Sequence, residues 1–263
     1  MELATILPTR YLFMTEGDHV HMALAHLVGE DKDYTEHFKN LDKETSYVIL
    51  DNSVIEDAQQ TIEQVCEKAV MIGAHEIILI DKFKDMAGTL DASFESLNYV
   101  RKNYPQFKVM AVPQGKTLEE WVACATEMLT WGIDTIGIPK VLTSIAGRDG
   151  RLHVLKLIAP VIASLDSNIQ HPSIHLLGCW ESPLELTILA KAEQQRIVPI
   201  IRSCDSAIAY VYSKAGILLG TDARPEGPVD FGGTVDDVLL LTDNITIWHE
   251  SVTLKRGKVI NLF

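Results

Sequence analysis

Six short apolar runs in the chain are each followed by residues able to do chemistry. The runs 46–51, 76–81, 108–113, 134–139, 173–178 and 197–203 lead into Asp51-Asn52, Asp81-Lys82, Gln114-Gly115-Lys116, Pro139-Lys140, Gly178-Cys179-Trp180-Glu181 and Arg202-Ser203-Cys204-Asp205. Three of these six ends carry an aspartate. A carboxylate so placed can act as a nucleophile or move a proton. It can also simply cap the next helix, and for one aspartate alone capping is the default reading. Three carboxylates around one rim make capping by coincidence a weaker explanation.

The cations follow the same loops. Lys82, Lys84, Lys116, Lys140, Arg148, Arg151, Arg202 and Arg224 lie in or near them. The acidic surplus lies elsewhere, in 30–44, 56–67 and 236–243. The net charge is −13, which by itself speaks against a polyanionic partner. A basic mouth on an acidic body softens that objection. Solvated loop lysines are the plain alternative.

These positions need a scaffold that brings strand ends together. The runs are β-branched or leucine-rich, as in strands buried on both faces. Between them lie helix-like segments at 58–73, 89–104, 117–132, 151–165, 183–195 and 206–215. In the third, Leu118, Trp121, Val122, Ala125, Met128 and Leu129 form one apolar face. Thr117 and Glu120 read as its capping box and Gly132 as its stop. Alternating strands and helices imply parallel pairing with right-handed crossovers. A seventh strand is expected within 5–14. The eighth has two candidates, 217–220 and the final VINLF. The fold expected is a (β/α)8 TIM-type barrel in one catalytic domain, 1–263, with loop, helix and tail over 220–263. Within that last part 234–241 reads as a short helix capped by Thr234. No G-x-G-x-x-G or Walker motif follows a strand, which disfavours a nucleotide-binding Rossmann or P-loop reading.

Other features have plainer readings. Cys66, Cys124, Cys179 and Cys204 are far apart and suggest reduced thiols. The N-terminus has no signal-peptide pattern and no run is long enough to span a bilayer, so a cytoplasmic protein without membrane contact is expected. His19, His21 and His26 share one segment but lack a carboxylate-rich partner for a metal. Trp121, Trp131, Tyr210 and Tyr212 read as packing residues, and Trp180 as a base-stacking candidate.

At the strand ends the sequence resembles the tRNA-guanine transglycosylase superfamily over about 45–232. RSCDSAIAYVYSKAG at 202–216 is similar to the signature that supplies the nucleophilic aspartate, here Asp205. VPQGKTLEEW at 112–121 matches the V-Q-G segment, with Gln114 reading the base. IDTIGIPK at 133–140 places Gly137 where backbone groups meet the base. HLLGCWESP at 175–183 resembles Y-L-M-G-x-G-x-P, with Leu177 as pocket floor and Gly178 as turn. ILID at 78–81 supplies the base-binding Asp81, and VILDNSVIED at 48–57 places Asp51 as the acid/base.

Departures from the superfamily bear on the expected substrate and on the inserted base. The superfamily's zinc cluster and C-terminal RNA-binding extension have no counterpart, so no metal and no cofactor is expected. Asn52-Ser53-Val54-Ile55-Glu56 replaces the glycine pair and stacking aromatic. A short, zinc-free chain resembles the phage-encoded 7-deazaguanine DNA transglycosylases. The resemblance implies a pentosyltransferase that replaces guanine in DNA by a free 7-deazaguanine base (preQ0-type). Lys116, Lys140, Arg202 and Arg224 are then candidates for phosphate contacts. The alternatives are the same reaction on tRNA and a non-catalytic nucleic-acid-binding subunit. Pairing as a homodimer and accessory modification proteins stay open. For a phage-encoded chain the compartment is the host cytoplasm.

Overall fold

Eight parallel strands form a nearly closed barrel in the computed structural model, which describes residues 1–53, 60–147, 149–166, 170–179, 183–221, 223–225 and 233–252. The strands are β1 (Glu2–Thr5), β2 (Val20–Leu24), β3 (Tyr47–Asp51), β4 (Glu76–Ile78), β5 (Lys108–Ala111), β6 (Thr135–Pro139), β7 (Ser173–Leu177) and β8 (Ile201–Ser206). They run in the order β1-β8-β7-β6-β5-β4-β3-β2. At the seam between β1 and β2, the Asp18 carboxylate accepts from the Thr5 amide at 3.1 Å. A side chain there takes an amide that a continuous ladder would have used.

The helices are α1 (Lys32–Asn40), α2 (Ile62–Ile72), α3 (Met86–Asn103), α4 (Leu118–Leu129), α5 (Thr143–Ala146), α6 (Gly150–Ala163), α7 (Leu184–Gln194), α8 (Ile208–Lys214) and α9 (Val238–Glu250). Their starts have local causes. Thr61 and Gln64 form a reciprocal capping box on α2, and Gly73 ends it at φ 64°. Asp85 caps α3 and Thr117 caps α4. The box expected on α4 is only half made, because the Glu120 carboxylate accepts from Lys116 N rather than from Thr117. The last helix is longer and starts later than expected. Asp237, not Thr234, caps it.

Alternation along each strand builds two cores. Outward residues such as Val48, Leu50, Ile77, Leu79, Ile136 and Ile138 pack under the helices. Inward residues Ala4, Val20, Met22, Ile49, Ile78, Met110 and Val112 fill the barrel as an apolar plug. Polar groups lie at both ends of this plug.

Three strand expectations change. The segment 5–14 mostly forms a 3-10 helix, Thr9–Thr15, and the strand before it is β1. The eighth strand is β2, on the histidine-bearing segment. Residues 217–220 form no strand, and the final VINLF lies outside the described residues. The run 197–203 begins too early: β8 starts at Ile201 and contains Arg202 to Asp205 rather than preceding them. Its register also slips. Ile174 pairs with Ile201 but His175 pairs with Ser203, so Arg202 is an extra residue.

Candidate functional site

Among the described residues, none of the three strand-end aspartates caps a helix. Thr61 caps α2, Asp85 caps α3, and Ala207 stands at the N-cap of α8. Capping therefore leaves Asp51, Asp81 and Asp205 unexplained.

Asp81 is the most enclosed, 3% exposed. Its Oδ1 accepts from Asn52 Nδ2 at 2.7 Å and its Oδ2 from Gln114 Nε2 at 2.6 Å. Asn52 Nδ2 also donates to Leu79 O. Gln114 Oε1 accepts from Lys84 N at 3.2 Å. Burial raises the Asp81 pKa to about 6, and the two amide donors pull it back only in part. A carboxylate held by neutral amides keeps its charge available for a ligand that brings donors.

Asp51 ends β3 on the inward-facing set of Tyr47 and Ile49. Its Oδ2 accepts from Ser53 N at 3.0 Å. Ser53 is fully buried and left-handed, at φ 60°. That backbone is one that glycine adopts most readily. His26 stabilises that turn: its N donates to Ser53 Oγ at 3.1 Å, and its Nδ1 lies 2.9 Å from the same oxygen. Val54, Ile55 and Glu56 lie outside the described residues.

Asp205 is 7% exposed on β8. Its Oδ1 is 3.0 Å from His175 Nε2 and accepts from Gly178 N at 3.3 Å. Among the described residues no donor bonds Oδ2. Gly178 has φ 72°, and a Cβ there would lie 2.7 Å from Lys140 Cδ. The lysine stem therefore lies across the turn beside Asp205. Gly137 is a packing position: a Cβ would meet Val112 at 2.9 Å, Leu177 at 3.0 Å and Met110 at 3.1 Å. With Leu177 it forms the apolar bed beneath the polar groups.

The expected cations divide. Lys140 belongs to the site and Lys116 is exposed beside Gly115. Arg224 is exposed and donates to the carbonyls of Thr221 and Ala223 in its own loop. Arg202 is a correction. The slip in β8 turns it into the opposite, N-terminal end of the barrel. There its guanidinium donates to Glu76 Oε2 at 2.7 Å and Thr135 Oγ1 at 3.0 Å, and lies over the Tyr47 ring. Glu76, Thr135 and Tyr47 each begin their strands. An arginine locked into that floor does not reach a phosphate at the mouth.

Sequence reasoning assigned no role in this site to His175, Ser203, Asn52, Ser53 or His26. The signal for His175 was a lone polar residue on the inward parity of an apolar strand. Ser203, His175 and Asp205 also form a hydrogen-bonded row that resembles a hydrolase triad. Ser203 and His175 are each 0% exposed, however, so that hydroxyl meets no substrate. A cavity of about 240 Å³, lined by Arg101, Phe107, Lys108 and Asp134 among others, lies at the N-terminal face, away from these aspartates.

No family model and no curated protein sequence matches the chain. Solved structures do. A protein described as a deoxyribose-phosphate aldolase from Coccidioides immitis is 10% identical, with TM-score 0.54, covering 79% of this chain and 81% of its own. Phosphoribosyl anthranilate isomerase from Thermococcus kodakaraensis is 14% identical, with TM-score 0.50, covering 94% and 97%. A variant of methylaspartate ammonia lyase from Clostridium tetanomorphum is 11% identical, with TM-score 0.53, covering 95% of this chain but 56% of the lyase. At such identities the likeness establishes the TIM-barrel fold and nothing about the reaction.

Proposed function

We propose that this chain is a guanine transglycosylase that exchanges guanine for a 7-deazaguanine base in DNA through a covalent aspartyl-sugar intermediate. The observation that carries the reading is the division of labour among three non-capping aspartates at one mouth. Asp205 has one oxygen held and, among the described residues, no donor on the other. Asp81 is fixed between two amides.

Exchange at C1′ with retained configuration needs two displacements. Asp205 Oδ2 attacks C1′ as the C1′–N9 bond breaks, and guanine leaves with its electron pair. Asp51 protonates the leaving base. The incoming 7-deazaguanine then loses its N9 proton to Asp51 and attacks C1′, and the ester breaks to return the Asp205 carboxylate. Asp81 accepts from the N1–H and 2-amino groups of either base, while Gln114 can both donate and accept. Adenine has neither the N1–H nor the 2-amino group, so it loses both hydrogen bonds to the Asp81 carboxylate, which disfavours it.

The target nucleotide must leave its stack to reach this depth. The loop after β4 offers a platform. Phe83 is 47% exposed between Lys82 and Lys84, and the Lys84 amide is bonded to Gln114. A flanking base can stack on Phe83 while Lys82, Lys116 and Lys140 meet phosphates.

The test is expression with a supply of 7-deazaguanine precursor, then nucleoside mass spectrometry of DNA and tRNA separately. Modified deoxynucleoside in DNA is the expected result. Modified tRNA with unmodified DNA overturns the substrate, and modification of neither overturns the activity.

A further inference from the structure

We infer that the polar floor of the barrel and the Asp205 carboxylate fix the tautomer of His175 from opposite sides, so that this imidazole presents an Nε2–H to Asp205, accepts from Ser203, and leaves the other carboxylate oxygen for the sugar. The role assigned to His175 rests on the reaction proposed above, whereas the tautomer does not. His175 is a positioning residue, since it lies beneath the nucleophile and touches no substrate.

The inference follows from counting protons along one buried row. Arg202 is fixed by Glu76 and Thr135. Its Nε–H, a group that only donates, points at Ser203 Oγ at 3.2 Å. Ser203 Oγ must therefore accept there. One hydroxyl proton remains to that serine, and its other hydrogen-bond partner among the described residues is His175 Nδ1 at 2.8 Å. A proton on Nδ1 would strand the serine hydroxyl in a place with 0% exposure. Nδ1 thus accepts, and the ring proton sits on Nε2, 3.0 Å from Asp205 Oδ1. That arrangement leaves no donor facing a donor from the floor to the nucleophile.

The slip in β8 makes this row. With regular pairing, Arg202 and Ser203 would face opposite sides of the sheet. The extra residue lets both reach inward, one to anchor the floor and one to pass its orientation upward. The register irregularity and the misplaced arginine thus share one explanation.

The experiment uses the full chain with 15N-labelled histidine and long-range 1H–15N correlation near neutral pH. His175→Gln identifies the His175 signals by their loss. Expected are a protonated Nε2 and an unprotonated Nδ1, and in Ser203→Ala a downfield shift of the Nδ1 resonance as its hydrogen bond is lost. A protonated Nδ1 in the wild-type protein overturns the inference. So does an unshifted Nδ1 resonance in Ser203→Ala. A kinetic arm addresses the positioning role. Glutamine can donate to Asp205 and accept from Ser203, so His175→Gln is expected to keep kcat within about ten-fold. His175→Leu is expected to lose about 100-fold or more in kcat with KM for the base unchanged. Equal loss in both variants overturns the positioning role. Absence of exchange in the wild-type protein instead refutes the proposed reaction, and the tautomer is still decided by the spectrum.

Discussion

The two ends of the barrel both bury carboxylates, and they treat them in opposite ways. At the N-terminal floor, Glu76 is fully buried and meets the Arg202 guanidinium and the Tyr47 hydroxyl. Its charge is answered by a charge. At the C-terminal mouth, Asp81 meets two neutral amides, and Asp205 meets an imidazole and one backbone amide. A buried ion pair closes a structure, whereas carboxylates given only neutral or single-sided partners stay able to serve a ligand. Charge in the floor is structural and charge in the mouth is available.

The sharpest way to break this contrast is to remove one charged group from each end. Asp205→Asn, which keeps an oxygen for His175 and Gly178, is expected to lower exchange by about 10⁴-fold or more while leaving the unfolding midpoint nearly unchanged. Arg202→Met is expected to do the reverse. It strands Glu76 and costs about 3 kcal/mol or more in denaturant unfolding, and Arg202→Met with Glu76→Leu recovers much of that loss. If Arg202→Met weakens DNA binding with no change in stability, the floor assignment is wrong.

The fate of Arg202 shows what the sequence pattern could and could not reveal. β3 and β6 are legible because both faces are buried and the apolar run is continuous. β2 is not, because His21 lies under the helices and Met22 in the barrel, so VHMAL loses the apolar signature of its neighbours. β1 has four residues, too few to show a period. The slip in β8 leaves no mark in hydropathy, so Arg202 reads as part of a strand-end loop when it belongs to the floor. Asp81 and Gln114 were legible as strand-end residues, and they proved to be hydrogen-bonded to each other. Their link through Asn52 was not, since it depends on how two loops converge. His175 was hidden because one polar residue in an apolar strand is ordinarily just a satisfied core group.

The mouth carboxylate also sharpens the contrast through pH. Burial raises the Asp81 carboxyl from the ordinary aspartate range to about 6. The sign is that of a group whose folded pKa lies above its unfolded one. Its stabilisation is present below about pH 4 and is lost as pH rises through about 6. The loss is about 3 kcal/mol at most, from a shift of roughly two units. Guanine recognition moves the other way, because the ionised carboxylate accepts from the base. The expected outcome is a kcat/KM that rises with pH through about 6, with stability falling over the same window. A kcat/KM that is flat between pH 5 and 7 would remove Asp81 from the recognition step.

Smaller effects are expected at the rim. Phe83→Ala should raise KM for an oligonucleotide several-fold, consistent with about 1 kcal/mol of stacking, and leave kcat unchanged. An unchanged KM would take Phe83 out of the binding surface. Arg224→Ala should change binding least, since that guanidinium is already engaged by its own loop.

The central claim is a covalent bond between Asp205 and the sugar. Its most direct measurement is the intact mass of the protein after incubation with a guanine-containing oligonucleotide and acid quenching, with the incoming base withheld. The expected result is an oligonucleotide adduct lacking one guanine, mapped to Asp205 and absent from Asp205→Ala. An adduct that persists in Asp205→Ala, or guanine exchange that proceeds normally in that variant, would contradict the account.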